Sequence, residues 1–473
     1  MADRTRVSGI VAFLLILAVG AVLRFHRLGA ESLWLDEAVS LEIAQESLGD
    51  IVHDTTDDVH PPLYYFALHY WMLPFGHSEA AMRSLSAVLG VLVIGAVSRL
   101  STTLFDPVTG LVAALFVALS TFHVGLAQEA RMYTLLALAS VLSMESFARL
   151  VEPHALSRWA AAGYVVATTA ALYTHNYGWF VVVAQGLYLA GLAIASREAY
   201  LQVWRRAFFA QAVVVLLYLP WLERFFEQVL RVRQGFWILP GSPLSLLKAF
   251  TQYAGSTELA WALLPLALLP IVFGRERRQT GLLVVWMAGL VLLPFLISRL
   301  ASPIFLPKYT IAGSVAVLLL AARGVTLLPK KAVQVAAVVA VAGLSIAPLG
   351  AYYGTVHKER WRDLVAAVDS RARSGDLVLF NQSYLQTPFD YYTKRTDLVE
   401  VPFLEVRDGL TTRSIRTLVS VAAAGHDRVW LVVTTADPLS PIMLEELLAR
   451  YAVVTHDQDR GVETYLLIRK NSS

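Results

Sequence analysis

The segment Ser32-Leu-Trp-Leu-Asp36-Glu37-Ala sets two adjacent carboxylates behind an aromatic-rich turn. One such acid can serve as a general base while its neighbour orients it, holds a metal or hydrogen-bonds a hydroxyl-rich ligand. The pair also suits a solvated helix N-terminus, where the helix dipole favours acids. Further on, Asp58-Val-His60-Pro61-Pro62-Leu-Tyr-Tyr puts an acid and an imidazole before two prolines that stiffen the approach to an apolar segment. These groups can meet a phosphate or a cation, or can mark a helix start with proline in its first turn. A third group is Gln128-Glu129-Ala-Arg131-Met-Tyr133. Its arginine suits bidentate contact with a phosphate and equally suits a side chain snorkelling to a membrane interface beside a tyrosine. Arg83, the triplet His175-Asn176-Tyr177, and Lys308-Tyr309 behind Pro307 are weaker signals, each also readable as an interfacial anchor. Asn381-Gln-Ser and Asn471-Ser-Ser match the glycosylation-acceptor pattern, which is common by chance.

These groups must be positioned by a chain that is 56% hydrophobic and only 16% charged, against about 25% charge in an ordinary soluble protein. The apolar residues fall in many separate blocks of membrane-spanning length, so the chain reads as a multi-span membrane protein. A net charge of +3, with the basic residues in short loops, argues against nucleic-acid binding. With no cysteine, thiol catalysis, zinc–thiolate sites and disulfides are excluded.

The first apolar block, Val7–Leu23, follows two arginines as a signal peptide would, but the chain re-enters the membrane many times, so it reads as a retained first helix. Ten further blocks follow: Ser84–Leu104, Val108–Leu126, Tyr133–Leu150, Trp159–Tyr173, Gly178–Ala195, Ala207–Leu222, Leu259–Phe273, Leu282–Ile297, Tyr309–Leu327 and Val333–Tyr353. Pro62–Phe75 is shorter and reads as interfacial or re-entrant. Whether it spans sets the parity of everything after it. With eleven spans, Arg99, Arg149, Arg158, Arg197, Arg205, Arg206, Arg275, Arg277, Arg278, Lys330 and Lys331 all fall in inner loops, which favours that count.

Two outer pieces result. One is the loop 24–83, with ten acids against three bases. The other is the tail 357–473, where helical patterns at Trp361–Arg373 and Ile442–Tyr451 alternate with strand-like runs at Asp376–Phe380, Arg428–Thr434 and Thr464–Ile468. That alternation predicts a small α/β domain, read as a substrate-side or structural cap and not a second enzyme. The expected division is therefore 1–356, membrane domain, and 357–473, extracytoplasmic domain.

The ordered motifs from Leu-Trp-Leu-Asp36-Glu37-Ala through Asp58-Val-His60-Pro-Pro, Arg83-Ser-Leu-Ser and Gln128-Glu-Ala-Arg131-Met-Tyr133 resemble those of the GT-C glycosyltransferases. They are similar above all to the protein O-mannosyltransferase and lipid A aminoarabinose transferase superfamily. The resemblance covers about the first 180 residues. It implies a GT-C membrane fold with about 11 transmembrane helices, and a polyprenyl-phosphate-linked sugar as donor. Asp36 then matches the catalytic base, with Glu37 as its partner, and Asp58 and His60 match an Asp-x-His-Pro-Pro pattern. Where aminoarabinose transferases carry Glu-Lys, this chain has no lysine.

The expected activity is inverting transfer from the lipid donor to a hydroxyl of a glycolipid, polysaccharide or protein, on the outer face of a bacterial inner membrane. Arg83, Arg131, Lys308 and Tyr309 are expected at the donor phosphate, and Asp58, His60, Glu129, Tyr133 and His175 at substrate or metal. A divalent Mg or Mn ion on Asp36, Asp58, His60 or Glu129 is compatible with oxygen-rich ligands and not required. The rival class is a flippase for a lipid-linked glycan, which would place its charges near mid-membrane.

Overall fold

A computed structural model describes residues 2–57, 59–152, 158–195, 197–234, 238, 240–403, 411–435 and 437–470. The chain forms two compact units, one of residues 1–28 and 43–355 and the other of residues 29–42 and 356–473. The loop 24–83 is thus shared, its segment 29–42 belonging with the tail, whereas the expected division put all of 24–83 in the membrane domain.

The first unit is helical. Each of the eleven apolar blocks lies on a helix. Six described helices are long and apolar enough to cross a bilayer individually, and up to eight if each of two bent pairs is one span. The other three, Tyr133–Leu150, Arg158–Thr174 and Gly178–Ala195, have 18, 17 and 18 residues. Leu63–Phe75 has 13 residues. At about 1.5 Å per residue that is roughly 20 Å, short of a hydrocarbon core of about 30 Å. The helix Arg197–Gln234 runs well past its expected end at Leu222.

The helix Ile311–Leu327 is buried along nearly its whole length and forms the axis of the unit. Gly324 lets it meet the helix Thr257–Phe273 at backbone contact, since a Cβ there would lie 1.8 Å from the Leu266 carbonyl oxygen.

One bent pair, Pro107–Leu119 and Thr121–Ala127, breaks by 61°. Such a break orphans carbonyls that lipid cannot satisfy. Arg24, fully buried on the first helix, answers this by donating to the Val117 and Ala118 carbonyls at 3.1 and 3.3 Å and to its own Gly20 at 3.1 Å. Gln128 adds a second tie. Its amide donates to the Leu23, Arg24 and His26 carbonyls, and its carbonyl accepts from the Tyr352 hydroxyl on the helix Lys331–Gly354.

The second unit holds a five-stranded sheet, β1 Leu377–Phe380, β2 Val399–Pro402, β3 Arg428–Thr434, β4 Tyr451–Asp459 and β5 Val462–Arg469, in the order β2-β1-β3-β5-β4. β1 runs parallel to β2 and β3, and β5 runs antiparallel to β3 and β4. All four residues of β1 are buried, as both-face coverage demands. Helices Thr412–Ala422 and Leu439–Leu448 pack on one face, and Trp361–Arg371 and Gln386–Tyr392 on the other. The sequence reading found β1, β3 and β5 and missed β2 and β4. It also carried a helix through Tyr451, where β4 begins. Asn381, read as a glycosylation triplet, is 1% exposed with its amide bonded to Ser440 and to the Thr434 N–H, so it is no acceptor. Asn471 lies outside the described residues.

Candidate active site

In the helical unit, Tyr309 is the centre of an aromatic cluster. Its ring lies 4.8 Å from that of His175, 5.5 Å from Tyr177, 6.1 Å from Tyr133 and 6.3 Å from His60, centroid to centroid. His60 and His175 meet edge to face at 5.0 Å. The Lys308 ammonium stands over the rings of Tyr133 and Tyr309, at 5.5 and 5.9 Å, within cation–π range. Five residues expected at the donor or substrate, His60, Tyr133, His175, Lys308 and Tyr309, therefore come together. They arrive from sequence positions up to about 250 apart.

The triplet His175-Asn176-Tyr177 is the fastener. His175 accepts the Tyr177 N–H at its Nδ1, 3.0 Å. Asn176 donates to the Val59 carbonyl at 3.1 Å, fixing the residue beside His60, and to Gln228 at 3.0 Å. Gln228 in turn donates to the Thr55 carbonyl at 2.8 Å. The Tyr177 hydroxyl donates to the Ile304 carbonyl at 2.8 Å, and Ser298 accepts the Ile304 and Phe305 N–H groups. The loop leading into Pro307-Lys308-Tyr309 is thereby held. Gln228 was not singled out from the sequence. It lies beyond the apolar block on the extended helix, where only the continued helical pattern pointed to it.

Three helix N-termini carry this cluster: Leu63–Phe75 just after His60, Tyr133–Leu150 starting at Tyr133, and the turn Pro307–Thr310 leading into Ile311–Leu327. Helix N-termini present free N–H groups and a positive dipole end, which suits anions. Arg131 lies two residues before one of them, and its carbonyl accepts the Ser86 hydroxyl at 3.1 Å. Arg83, one turn before Ser86, is buried and donates to the Leu28 carbonyl at 3.0 Å, so part of its guanidinium clamps the end of the first helix.

Asp36 and Glu37 belong to the second unit, in the first turn of the helix Leu35–Gln45. Their setting is not the solvated helix end that composition allowed. Glu37 is 0% exposed and takes the Lys358 ammonium at 3.0 Å. Glu359 lies in the same neighbourhood. Burial, and then the charges of Asp36, Asp459 and Glu37, push its carboxyl above the usual range. Lys358 and Glu359 were not singled out from the sequence, since residues 320 positions apart carry no local signal of pairing.

Asp58 lies outside the described residues, and Glu129 is half-buried in the turn before Tyr133. Among the described residues no three His, Asp or Glu side chains gather as a metal-holding group. No step of the reaction is routed through a metal.

Comparison with known proteins follows this geometry. The family model for dolichyl-phosphate-mannose-protein mannosyltransferases matches residues 59–222. ArnT from Cupriavidus metallidurans, solved with undecaprenyl phosphate, superposes with a TM-score of 0.66 at 16% identity, over 96% of this chain and 97% of that one. The archaeal oligosaccharyltransferase AglB from Archaeoglobus fulgidus, solved with an inhibitory peptide and a dolichol-phosphate, gives 0.60 at 10% identity, over 98% of this chain and 74% of that one. No curated protein sequence matches the chain. The chain has the GT-C fold, and its residues 59–222 match the mannosyltransferase family model.

Proposed function

We propose that the chain is an inverting glycosyltransferase that moves a sugar from a polyprenyl-phosphate donor to a hydroxyl of a cell-envelope acceptor, on the outer face of a bacterial inner membrane. The observation that carries the reading is Lys308, a cation set at a helix N-terminus over the rings of Tyr133 and Tyr309. A helix N-terminus attracts anions and a cation beside it adds to that attraction, and the aromatic faces there suit a sugar. ArnT binds a polyprenyl phosphate on the same fold.

In the reaction the acceptor oxygen bonds to the anomeric carbon while the bond from that carbon to the phosphate oxygen breaks. The transition state has oxocarbenium character, as in other glycosyl transfers. Asp36 takes the acceptor proton, and a single displacement inverts the centre. Negative charge grows on the leaving phosphate, and Lys308, Arg131 and Arg83 stabilise it. His60, His175 and Tyr309 shape the place of the sugar. The outer-face assignment rests on the basic loops that gather at the opposite helix ends.

The test is donor consumption by the purified chain in detergent, with a panel of undecaprenyl-phosphate-linked sugars. Release of undecaprenyl phosphate is expected with at least one donor. A folded protein that returned every donor intact, as a flippase would, sinks the reading. Asp36→Asn is expected to lower turnover by about 10³-fold, within the usual range for general-base loss, with unchanged circular dichroism. Near-normal release by that variant removes Asp36 from the mechanism.

A further inference from the structure

We propose that Lys358, at the start of the tail, is a positioning residue of the transfer reaction, holding the loop that carries Asp36 through a buried ion pair with Glu37. The inference rests on the transfer reading above and deepens it. The pair is 3.0 Å long, with Glu37 fully buried and the Lys358 side chain 11% exposed. Buried ion pairs contribute little net stability compared with apolar residues of the same size, because desolvating both charges offsets their attraction. Such a pair beside a reactive acid is better explained by the geometry it fixes.

That geometry is tightly specified. The second oxygen of Glu37 faces the Trp34 N–H at 3.4 Å, across the turn that begins the helix. The Trp34 carbonyl accepts the Glu37 and Ala38 N–H groups at 3.0 Å each, and the Asp36 carbonyl accepts the Ser40 hydroxyl at 2.8 Å. Asp36 is therefore fixed from both sides, with Glu37 as the pivot. The tail reaches the same loop with its backbone. Glu31 accepts the His357 and Lys358 N–H groups, Ser32 accepts the Arg362 N–H, and the Arg362 guanidinium donates to the Gly29 carbonyl. From the helix Gln386–Tyr392, the Tyr392 hydroxyl accepts the Leu33 N–H at 2.6 Å. The backbone of Lys358 is thus tied to Glu31, in the same loop as the Glu37 that its side chain reaches, so the ammonium has little freedom to swing away. It also neutralises Glu37 in a neighbourhood of acids, where the charges of Asp36, Asp459 and Glu37 act on the Glu359 carboxyl.

The experiment compares the wild-type full chain with Lys358→Met, Lys358→Arg and the doubly neutral Glu37→Gln/Lys358→Met, in the same detergent. Two readouts are taken: hydrogen exchange of the backbone amides of residues 29–42, which needs no donor, and steady-state release of undecaprenyl phosphate from the donor that the wild type consumes. Lys358→Met is expected to speed exchange across 29–42 and to lower kcat by about 10²-fold, the scale of a small misplacement of a reacting group, with the donor KM within about two-fold. Lys358→Arg is expected to recover most of both. If Lys358→Met does not fold, the double variant, which buries no lone charge, is expected to fold and to show the same faster exchange and lower kcat. Unchanged exchange in the folded variant overturns the proposal, whether or not turnover falls. So does faster exchange with wild-type kcat, or a loss confined to KM. If the wild type consumes no donor, the transfer reading has failed while the exchange data still decide whether Lys358 holds the loop.

Discussion

The two ends of the helical unit are built from the same helices and hold their charges in different surroundings. At one end Glu145 is buried between Arg99 at 2.6 Å and Arg149 at 2.8 Å, and Arg323 bridges Asp106 at 3.1 Å and Glu276 at 2.8 Å. Three of the charges there agree with the helix dipoles. Asp106 caps the helix Pro107–Leu119 and accepts its first N–H groups, Glu276 stands at the start of Arg277–Met287, and Arg149 lies in the last turn of Tyr133–Leu150. The other end is built around aromatic rings. There Lys308 occupies a first helical turn over the rings of Tyr133 and Tyr309, and Arg131 lies two residues before another helix. One end is a matched network that holds the bundle, and the other sets a cation over aromatic rings. Ionisable groups in a membrane protein are not evidence of function merely by being there; what surrounds them separates structural from functional use.

The sharpest way to break this comparison is Lys308→Met, which keeps the side-chain length and removes the charge. It is expected to lower donor turnover by about 10²- to 10³-fold, the range for losing one transition-state charge partner, with thermal stability shifted by less than about 1 kcal/mol. Kinetics and a thermal melt on the same preparation check it; full activity would place the anion elsewhere. Arg323→Met is the mirror experiment. It strands Asp106 and Glu276, and is expected to cost about 1–3 kcal/mol of stability, less than a fully buried pair because both acids are partly exposed. Its turnover per folded molecule should stay within about two-fold. A variant that lost turnover and kept its melting behaviour would erase the distinction between the ends.

Between these lies Gln228→Ala. It removes the hydrogen bonds to Asn176 and the Thr55 carbonyl that tie the approach to His60, and is expected to cost about 1–2 kcal/mol of stability and to raise the donor KM more than it lowers kcat. Wild-type KM would show that the His60 segment is held without it.

Much of this was legible in the sequence, for identifiable reasons. The eleven apolar blocks fell on helices because span length and hydrophobicity are local properties. His60, Tyr133, His175, Lys308 and Tyr309 were all singled out because polar and aromatic groups at the ends of apolar blocks are conspicuous. What the sequence hid was pairing over distance. Arg24 looked like a loop boundary and instead satisfies the carbonyls of a broken helix. Gln128 sat in a motif assigned to chemistry and serves as a strut between the first and last helices of the unit. Strands β2 and β4 were missed because one has only four residues and the other is polar and mostly exposed, so neither shows a buried strand pattern.

The smallest expected effect concerns pH at the matched end. Partial burial works to raise the Glu276 carboxyl, but its own backbone N–H and then the hydrogen bond and charge of Arg323 outweigh it, and the net direction is down from 4.5. A carboxyl held lower in the folded state stabilises the protein fully above its unfolded value. That contribution is lost as the pH falls from about 4.5 through the lower folded value, where the unfolded chain binds the proton first. Thermal stability of the wild type should therefore fall on acidification over that window, and Glu276→Gln should flatten the fall slightly. The difference is expected to stay below about 1 kcal/mol, because the side chain is 35% exposed and solvent screens the pair. Melting curves between pH 3 and 7 for both proteins measure it. A Glu276→Gln profile steeper than the wild type would mean that Glu276 is not stabilised as a carboxylate there, and the matched end would lose one of its two Arg323 partners.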